Sequence, residues 1–376
     1  VESQQQGADP FVEFCNLCRA GKLFAVQAWL QSHAIPPTPS RARFTPIRIA
    51  LEKGFHSLLE VLLRAGAPTD RDTLWHAVLT HRVDLVQLMF EFGADVHDVS
   101  LNDVVSLSDV AVTRLFIERG ADLITGYPIT LGLLKAPKPF IAIYKANVAR
   151  EPRLQLQLDI ALKQYVEKGS QRGVALMLWA GANARVKVPD EWGDDEECGI
   201  SALERAALQG NLETLKRLKV GKHDDLNGVL RWACFAHRPP VIEFLVQLGG
   251  DLNHRREEGE SCWDHLIGNL DRGTSDSPFF CTKSEALECI KTAVRLGARL
   301  ENVGGSNKRQ LRASLARMSW FEVLDLVKLF LAAKAATVET VADVLNTPKL
   351  KAHLAPCRHK VAGLLPPLRR WSEQES

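Results

Sequence analysis

One phrase recurs along this chain and limits what it can fold into: two or three apolar residues, a polar or small pair, a glycine, then alanine or another small residue. It reads VLLRAGAPTD up to Asp70, LMFEFGADVHD up to Asp98, LFIERGADL up to Leu123 and LMLWAGANA up to Ala184. Weaker copies are LVQLGGDLN up to Asn253 and AVRLGARLE up to Glu301. The physical content is helix termination, because glycine takes the left-handed conformation of a helix C-cap without steric penalty. Upstream of several copies a first helix closes in a short turn: EKG at Gly54, EKGSQRG at Gly173 and LQGN at Gly210. Each unit is therefore helix, tight turn, helix, glycine cap. One such hairpin cannot bury its apolar face alone, whereas stacked hairpins can.

The cap positions are Gly66, Gly93, Gly120, Asn147, Gly181, Gly221, Gly249 and Gly297, with His33 and Lys334 filling the same slot at the two ends. Asn147 is a conservative substitute, since Asn tolerates the left-handed region best after Gly. The successive spacings are 33, 27, 27, 27, 34, 40, 28, 48 and 37 residues. With 376 residues, 46% of them hydrophobic, the chain can bury a large core, and a one-dimensional array accommodates that length without splitting into globules. The expectation is an all-α solenoid of about ten helix-turn-helix repeats with helical caps.

These motifs resemble those of ankyrin-repeat proteins. The family's first-helix signature, Thr-Pro-Leu-His-x-Ala, is matched by Thr45-Pro46-Ile47-Arg48-Ile49-Ala50. It is matched more loosely by Asp72-Thr73-Leu74-Trp75-His76-Ala77 and by Ser201-Ala202-Leu203-Glu204-Arg205-Ala206. The opening Thr, Asp or Ser is read as an N-cap, and Pro46 fits the first turn, where its missing N–H has no helical acceptor. The family's Gly-Ala-Asp-Val ending is matched at Gly93 to Val96 and Gly120 to Leu123, and spacings of 33 and 34 equal the family period. The 27-residue units are shorter, which implies helix pairs with little of the β-hairpin finger between them. The resemblance covers roughly residues 8 to 340 and implies a binding scaffold.

The organisation follows from the repeats. Residues 1–43 hold an N-terminal capping repeat, with Phe11, Phe14, Cys18, Phe24, Val26 and Leu30 as its inner stripe, and a Pro-rich loop. Residues 44–184 hold the clearest repeats, 185–336 degenerate repeats with long loop insertions, and 337–376 a helical cap and a polar tail. Extra residues within a repeat fall in loops on the binding face. The insertions are 34–44, 185–200, where six carboxylates fall within eight positions around Trp192, and two stretches between 253 and 284.

The net charge of +2 favours no class of partner, although residues from 303 onward carry 12 Lys and Arg against 6 Asp and Glu. The eight dispersed cysteines read as reduced thiols, no stretch is long and apolar enough to span a membrane, and the opening lacks the order of a signal peptide. A cytoplasmic location is expected.

Chemical readings fare poorly. Cys15 and Cys18 share a helix face as small core residues, and no second ligand pair stands at zinc spacing. Cys357 and His359 form an isolated pair in the tail. Gly268 to Ser275 has the spacing of a phosphate loop but lacks its lysine, and Asp264 and His265, as sequence neighbours, lie about 100° apart on a helix. Asp190, Glu191 and Asp194 to Glu197 lack the alternation of a calcium loop. Trp29, Trp179, Trp232 and Trp320 are assigned to the core.

The expected function is therefore a non-enzymatic scaffold, without cofactor or metal, holding an unidentified protein through its concave face and inserted loops. Nucleic acid is disfavoured as partner, and no membrane contact is expected. Trp192, Asp194, Asp195, Trp75, Arg41, Arg43 and Arg48 are the candidate partner-binding residues, chosen because Trp and Arg dominate interface hot spots. The alternative is a regulatory or inhibitory subunit of the immunity type, whose acidic finger occludes a partner enzyme's site.

Overall fold

The computed structural model describes residues 9–39, 44–189, 199–255, 261–268, 283–303 and 305–365. Among them the helices fall into ten consecutive pairs. The first five are α1 (Pro10–Arg19) with α2 (Leu23–Ser32), α3 (Pro46–Lys53) with α4 (His56–Arg64), α5 (Arg71–Leu79) with α6 (Val83–Glu91), α7 (Leu101–Ser106) with α8 (Val110–Glu118), and α9 (Pro128–Lys135) with α10 (Pro137–Asn147). The next five are α11 (Leu154–Glu167) with α12 (Gln171–Ala180), α13 (Ala202–Gln209) with α14 (Leu212–Arg217), α15 (Leu226–Phe235) with α16 (Pro239–Leu248), α17 (Cys262–Gly268) with α18 (Lys283–Arg295), and α19 (Gly305–Leu315) with α20 (Trp320–Ala332). Three more helices close the described chain: α21 (Val338–Leu345), α22 (Pro348–Leu354) and α23 (Arg358–Leu364).

Two compact units, Val1–Ala161 and Leu162–Ser376, divide the chain within α11. In the first unit α1, α3 and α5 pack in sequence, as do α2, α4, α6 and α8. In the second, α13, α15, α17, α19 and α21 form one layer, while α16, α18 and α20 belong to the other. First helices thus stack on first helices and second helices on second helices, the arrangement an array of amphipathic hairpins requires. Leu59, Leu62, Leu74, Leu85 and Met89 are fully buried between the layers of the first unit, and Leu230, Leu245, Trp263, Leu266 and Val323 in the second.

Two series of left-handed residues punctuate each unit. At the caps, Gly66, Gly93, Gly120, Gly181, Gly249 and Gly297 have positive φ, as expected, and so does Lys334. Three expected caps do not. His33 is extended, at φ −137°. Asn147 remains helical, its amide donating to the Ile143 carbonyl at 2.8 Å. In the Gly221 unit the left-handed residue is Lys219, at φ +56°.

The turns between paired helices form the second series: Gly21, Gly54, His81, Ser108, Gly169, Gly210 and His237. Gly169, not Gly173, makes the turn after α11. Gly173 lies inside α12, where a Cβ would stand 2.0 Å from the Tyr165 ring. A non-glycine residue held left-handed is strained by about 1–2 kcal/mol, part of which glycine returns as unfolded-chain entropy. Replacing exposed Ser108 or Lys334 with glycine is therefore expected to raise stability by about 0.5–1 kcal/mol each, read as an increased midpoint of thermal unfolding.

Capping follows local chemistry. Thr45 accepts from Arg48 N at 3.2 Å, and Ser201 and Glu204 form a reciprocal capping box. In α5 the cap is Asp70, which accepts from Thr73 N at 3.0 Å, and Asp72 lies one residue inside the first turn. Helix C-termini expose carbonyls without intrahelical partners, and side chains from the neighbouring pair reach them. Arg82 Nη1 donates to Gly54 O at 2.6 Å, Gln209 Nε2 to Glu167 O at 2.7 Å, and His237 Nε2 to Leu266 O at 3.0 Å.

His237 is buried, and desolvation holds its pKa below the ordinary imidazole value of about 6.5. Its folded state binds a proton less readily than its unfolded state, so this residue's contribution to stability is complete above that value. The contribution is lost as pH falls from there toward the folded pKa. Urea titrations at descending pH should show the second unit weakening, with a shallower slope for His237→Gln.

Several core assignments change. Phe14, Cys18 and Val26 are buried, but Phe24 is 84% exposed. Trp179 is 68% exposed, whereas Trp29, Trp232 and Trp320 are half-buried. Cys357 belongs to no polar tail, being buried beside α23.

Candidate partner-binding surface

In the first unit the shortened repeats bring equivalent positions of successive first helices into register. Arg48, Trp75 and Asn102 each stand six residues before a left-handed turn residue, Gly54, His81 and Ser108 respectively. Arg48 is half-buried. Its Nε donates to Glu52 Oε1 at 2.8 Å, and its guanidinium lies 5.4 Å from the centroid of the Phe44 ring. Both contacts hold the planar fork in one orientation while leaving it accessible, the preorganisation that lowers the entropic cost of binding. Trp75 is half-buried on α5, and Asn102 Nδ2 donates to Gly126 O at 2.8 Å, fixing the loop ahead of α9.

In the second unit a short antiparallel hairpin projects between α12 and α13. Strand β1 (Lys187–Val188) pairs with β2 (Ile200–Ser201), with Lys187 opposite Ser201 and Val188 opposite Ile200. The hairpin is braced from several sides. Arg185 donates through Nε to Asp224 Oδ1 at 2.6 Å and through Nη2 to Asp224 Oδ2 at 3.2 Å. The Asp224 side chain is only 2% exposed and also accepts from Gly221 N at 2.8 Å. Buried Lys163 donates to Pro189 O at 2.7 Å, just beyond β1. A cleft of about 240 Å³ opens beside the hairpin, lined by Arg185, Lys187, Glu204, His223, Asp224 and Val229 among others. Its carboxylates are occupied: Glu204 completes the capping box, Asp225 caps α15, and Asp224 holds Arg185.

Of the residues selected from sequence, Arg48 and Trp75 fall at equivalent positions on adjacent packed helices. Arg41, Arg43, Trp192, Asp194 and Asp195 lie outside the described residues. Arg185 and Asp224 are 39 positions apart, and no sequence pattern joins them. Trp179, assigned to the core from sequence, is exposed instead: Val174, Met177 and Ala180 are buried positions of α12, and 179 falls off that stripe.

Among the described residues no group of three or more His, Cys, Asp or Glu is placed to hold a metal ion. Cys15 and Cys18 are buried, and burial pushes the Cys18 thiol up to about 12, which keeps it protonated. Asp264 works structurally: it accepts from Ser261 N at 2.8 Å and from Asn307 Nδ2 at 3.0 Å. Among the described residues no helix is long and apolar enough to cross a membrane.

No family model matches the chain. A curated relative, the ankyrin repeat and KH domain-containing protein mask-1 of Caenorhabditis elegans, is 27% identical over 257 residues, or 60% of this chain. That similarity meets an array of paired helices with left-handed caps. The fold is an all-α, ankyrin-like solenoid. The chain spans only 9% of the length of mask-1. The solved human ASB11 ankyrin repeat domain is also similar, at 16% identity and a TM-score of 0.23, with 75% of this chain and 97% of that chain covered.

Proposed function

We propose that this chain is a non-catalytic scaffold that holds a protein partner along its first helices and inserted loops. The observation that carries the proposal is the braced hairpin. Arg185, Asp224 and Lys163 brace the described residues next to a segment holding six carboxylates and Trp192, so that segment begins on a fixed base. Recognition residues concentrate on loops that a rigid scaffold positions. Arg48 and Trp75 supply the residue types that carry binding energy, on a surface of first helices already in register. The chain's buried free thiols suit a reducing, cytoplasmic setting.

The test replaces 190–198 with a short Gly-Ser linker, keeping Arg185, β1 and β2. A partner captured by the intact chain from native lysate should be lost, while circular dichroism and the unfolding midpoint stay unchanged. Capture unaffected by this replacement and by Trp75→Ala with Arg48→Ala would overturn the proposal. The six carboxylates also support a second function, inhibition of an enzyme with a basic site. For that function, inhibition should weaken with salt and on charge reversal at Asp194 and Asp195.

A further inference from the structure

The last helices of the second unit carry charge of one sign. Between Asn346 and Leu365 there are four Lys or Arg, two His and no Asp or Glu. The structure draws part of this charge to one edge. His353 Nε2 donates to the carbonyl of Met318, at the turn into α20. Lys349 is one helical turn before His353, on the same face of α22, and is exposed. Two residues beyond Met318, the Trp320 ring carries Lys360 Nζ at 5.6 Å from its centroid. Trp320 meets Phe321 edge-to-face at 5.8 Å, and Phe321 is 55% exposed. Of the carboxylates on the packed elements, Glu322 accepts from Ser319 N at 2.7 Å, Asp343 pairs with Arg312 at 3.2 Å and Asp325 with Lys328 at 3.8 Å, while Glu339 is exposed on α21. The result is a cationic edge with an uncovered aromatic ring beside it.

We infer that this edge, formed by Lys349, His353, Trp320, Phe321 and Lys360, docks the acidic segment 190–197 of a second copy of the chain. That segment, Asp-Glu-Trp-Gly-Asp-Asp-Glu-Glu, is the complement in both respects: six carboxylates for the cations, and Trp192 for the exposed ring. A nucleic acid fits less well. The chain before residue 303 carries a net charge of −4 and gives a polyanion no attractive far field. Because the two surfaces differ, the pairing is head-to-tail, and it either closes into a ring or extends. It rests on the proposal that the acidic segment is a docking element and adds a regulation, since a segment occupied by another copy is withheld from a partner.

The test needs only purified chain, so its outcome does not depend on whether a partner is ever captured. Sedimentation velocity should show concentration-dependent association at about 0.1 M salt, weakened at least tenfold at about 1 M, where the Debye length has shrunk from about 10 Å to about 3 Å. Lys349→Glu with Lys360→Glu should abolish association, as should Asp194→Lys with Asp195→Lys. Mixing the two variants should restore pairing, because the edge variant still offers the native acidic segment and the segment variant still offers the native basic edge. Each variant's fold is checked by circular dichroism. A chain that is monomeric at every concentration at low salt overturns the inference. So does association that survives both reversals, or a basic edge that binds a single-stranded oligonucleotide but not a peptide of residues 188–199.

Discussion

Replacing Gln157 with leucine is expected to destabilise the first unit by about 3–5 kcal/mol. Gln157 is 1% exposed, and its side chain closes three backbone groups at once. Its Oε1 accepts from Ile129 N at 2.8 Å and from Thr130 N at 3.2 Å, and its Nε2 donates to Leu123 O at 2.6 Å. The two amides are first-turn donors of α9, which have no helical acceptor, and Ile129 is fully buried. Leucine fills similar volume but strands all three groups, each costing about 1–3 kcal/mol once water is excluded. Urea unfolding of the intact chain measures the loss. Amide exchange at Ile129 and Thr130 locates it, since both should exchange much faster while α3 to α6 stay protected.

The second unit is most exposed to change at Trp263. This side chain is fully buried and meets Phe330 edge-to-face at 6.4 Å. Truncation to alanine removes the largest fully buried side chain among the described residues and leaves a cavity, for an expected loss of about 3–5 kcal/mol. Its indole Nε1 is buried without a hydrogen-bond partner. Phenylalanine at 263 loses ring volume but also removes that orphan donor, so it should cost clearly less than alanine. Equal losses for the two variants in denaturant titrations would contradict this account of the site.

Much of the fold was legible because its termination signal is chemical. Gly66, Gly93, Gly120, Gly181, Gly249 and Gly297 stand in the sequence where a left-handed residue stands in the structure. The same signal failed where tertiary packing imposes that conformation on other residues. Lys219 takes the role assigned to Gly221, and His81, Ser108 and His237 make turns that no glycine announces. Asn147 failed for the opposite reason: α10 continues through it, and its side chain bonds back to Ile143 O.

Site legibility divided along similar lines. Arg48 and Trp75 could be placed because they occupy fixed positions in the first-helix motif. The Arg185–Asp224 bridge joins chain segments 39 residues apart, and the buried tether from Lys163 to Pro189 spans 26. Such contacts depend on how one helix pair seats on the next, which periodicity does not encode. Phe24 and Trp179 were assigned to the core on hydrophobicity, although each falls off the buried stripe of its own helix.

The proposed recognition of a partner along the first helices and the braced hairpin is tested most directly by amide hydrogen exchange of the chain with and without a captured partner. Protection on binding should concentrate in α3, α5, α7 and the segment 185–201, leaving α4, α6 and α8 unchanged. Protection confined to those second helices, with none at Arg48, Trp75 or the hairpin, would contradict it.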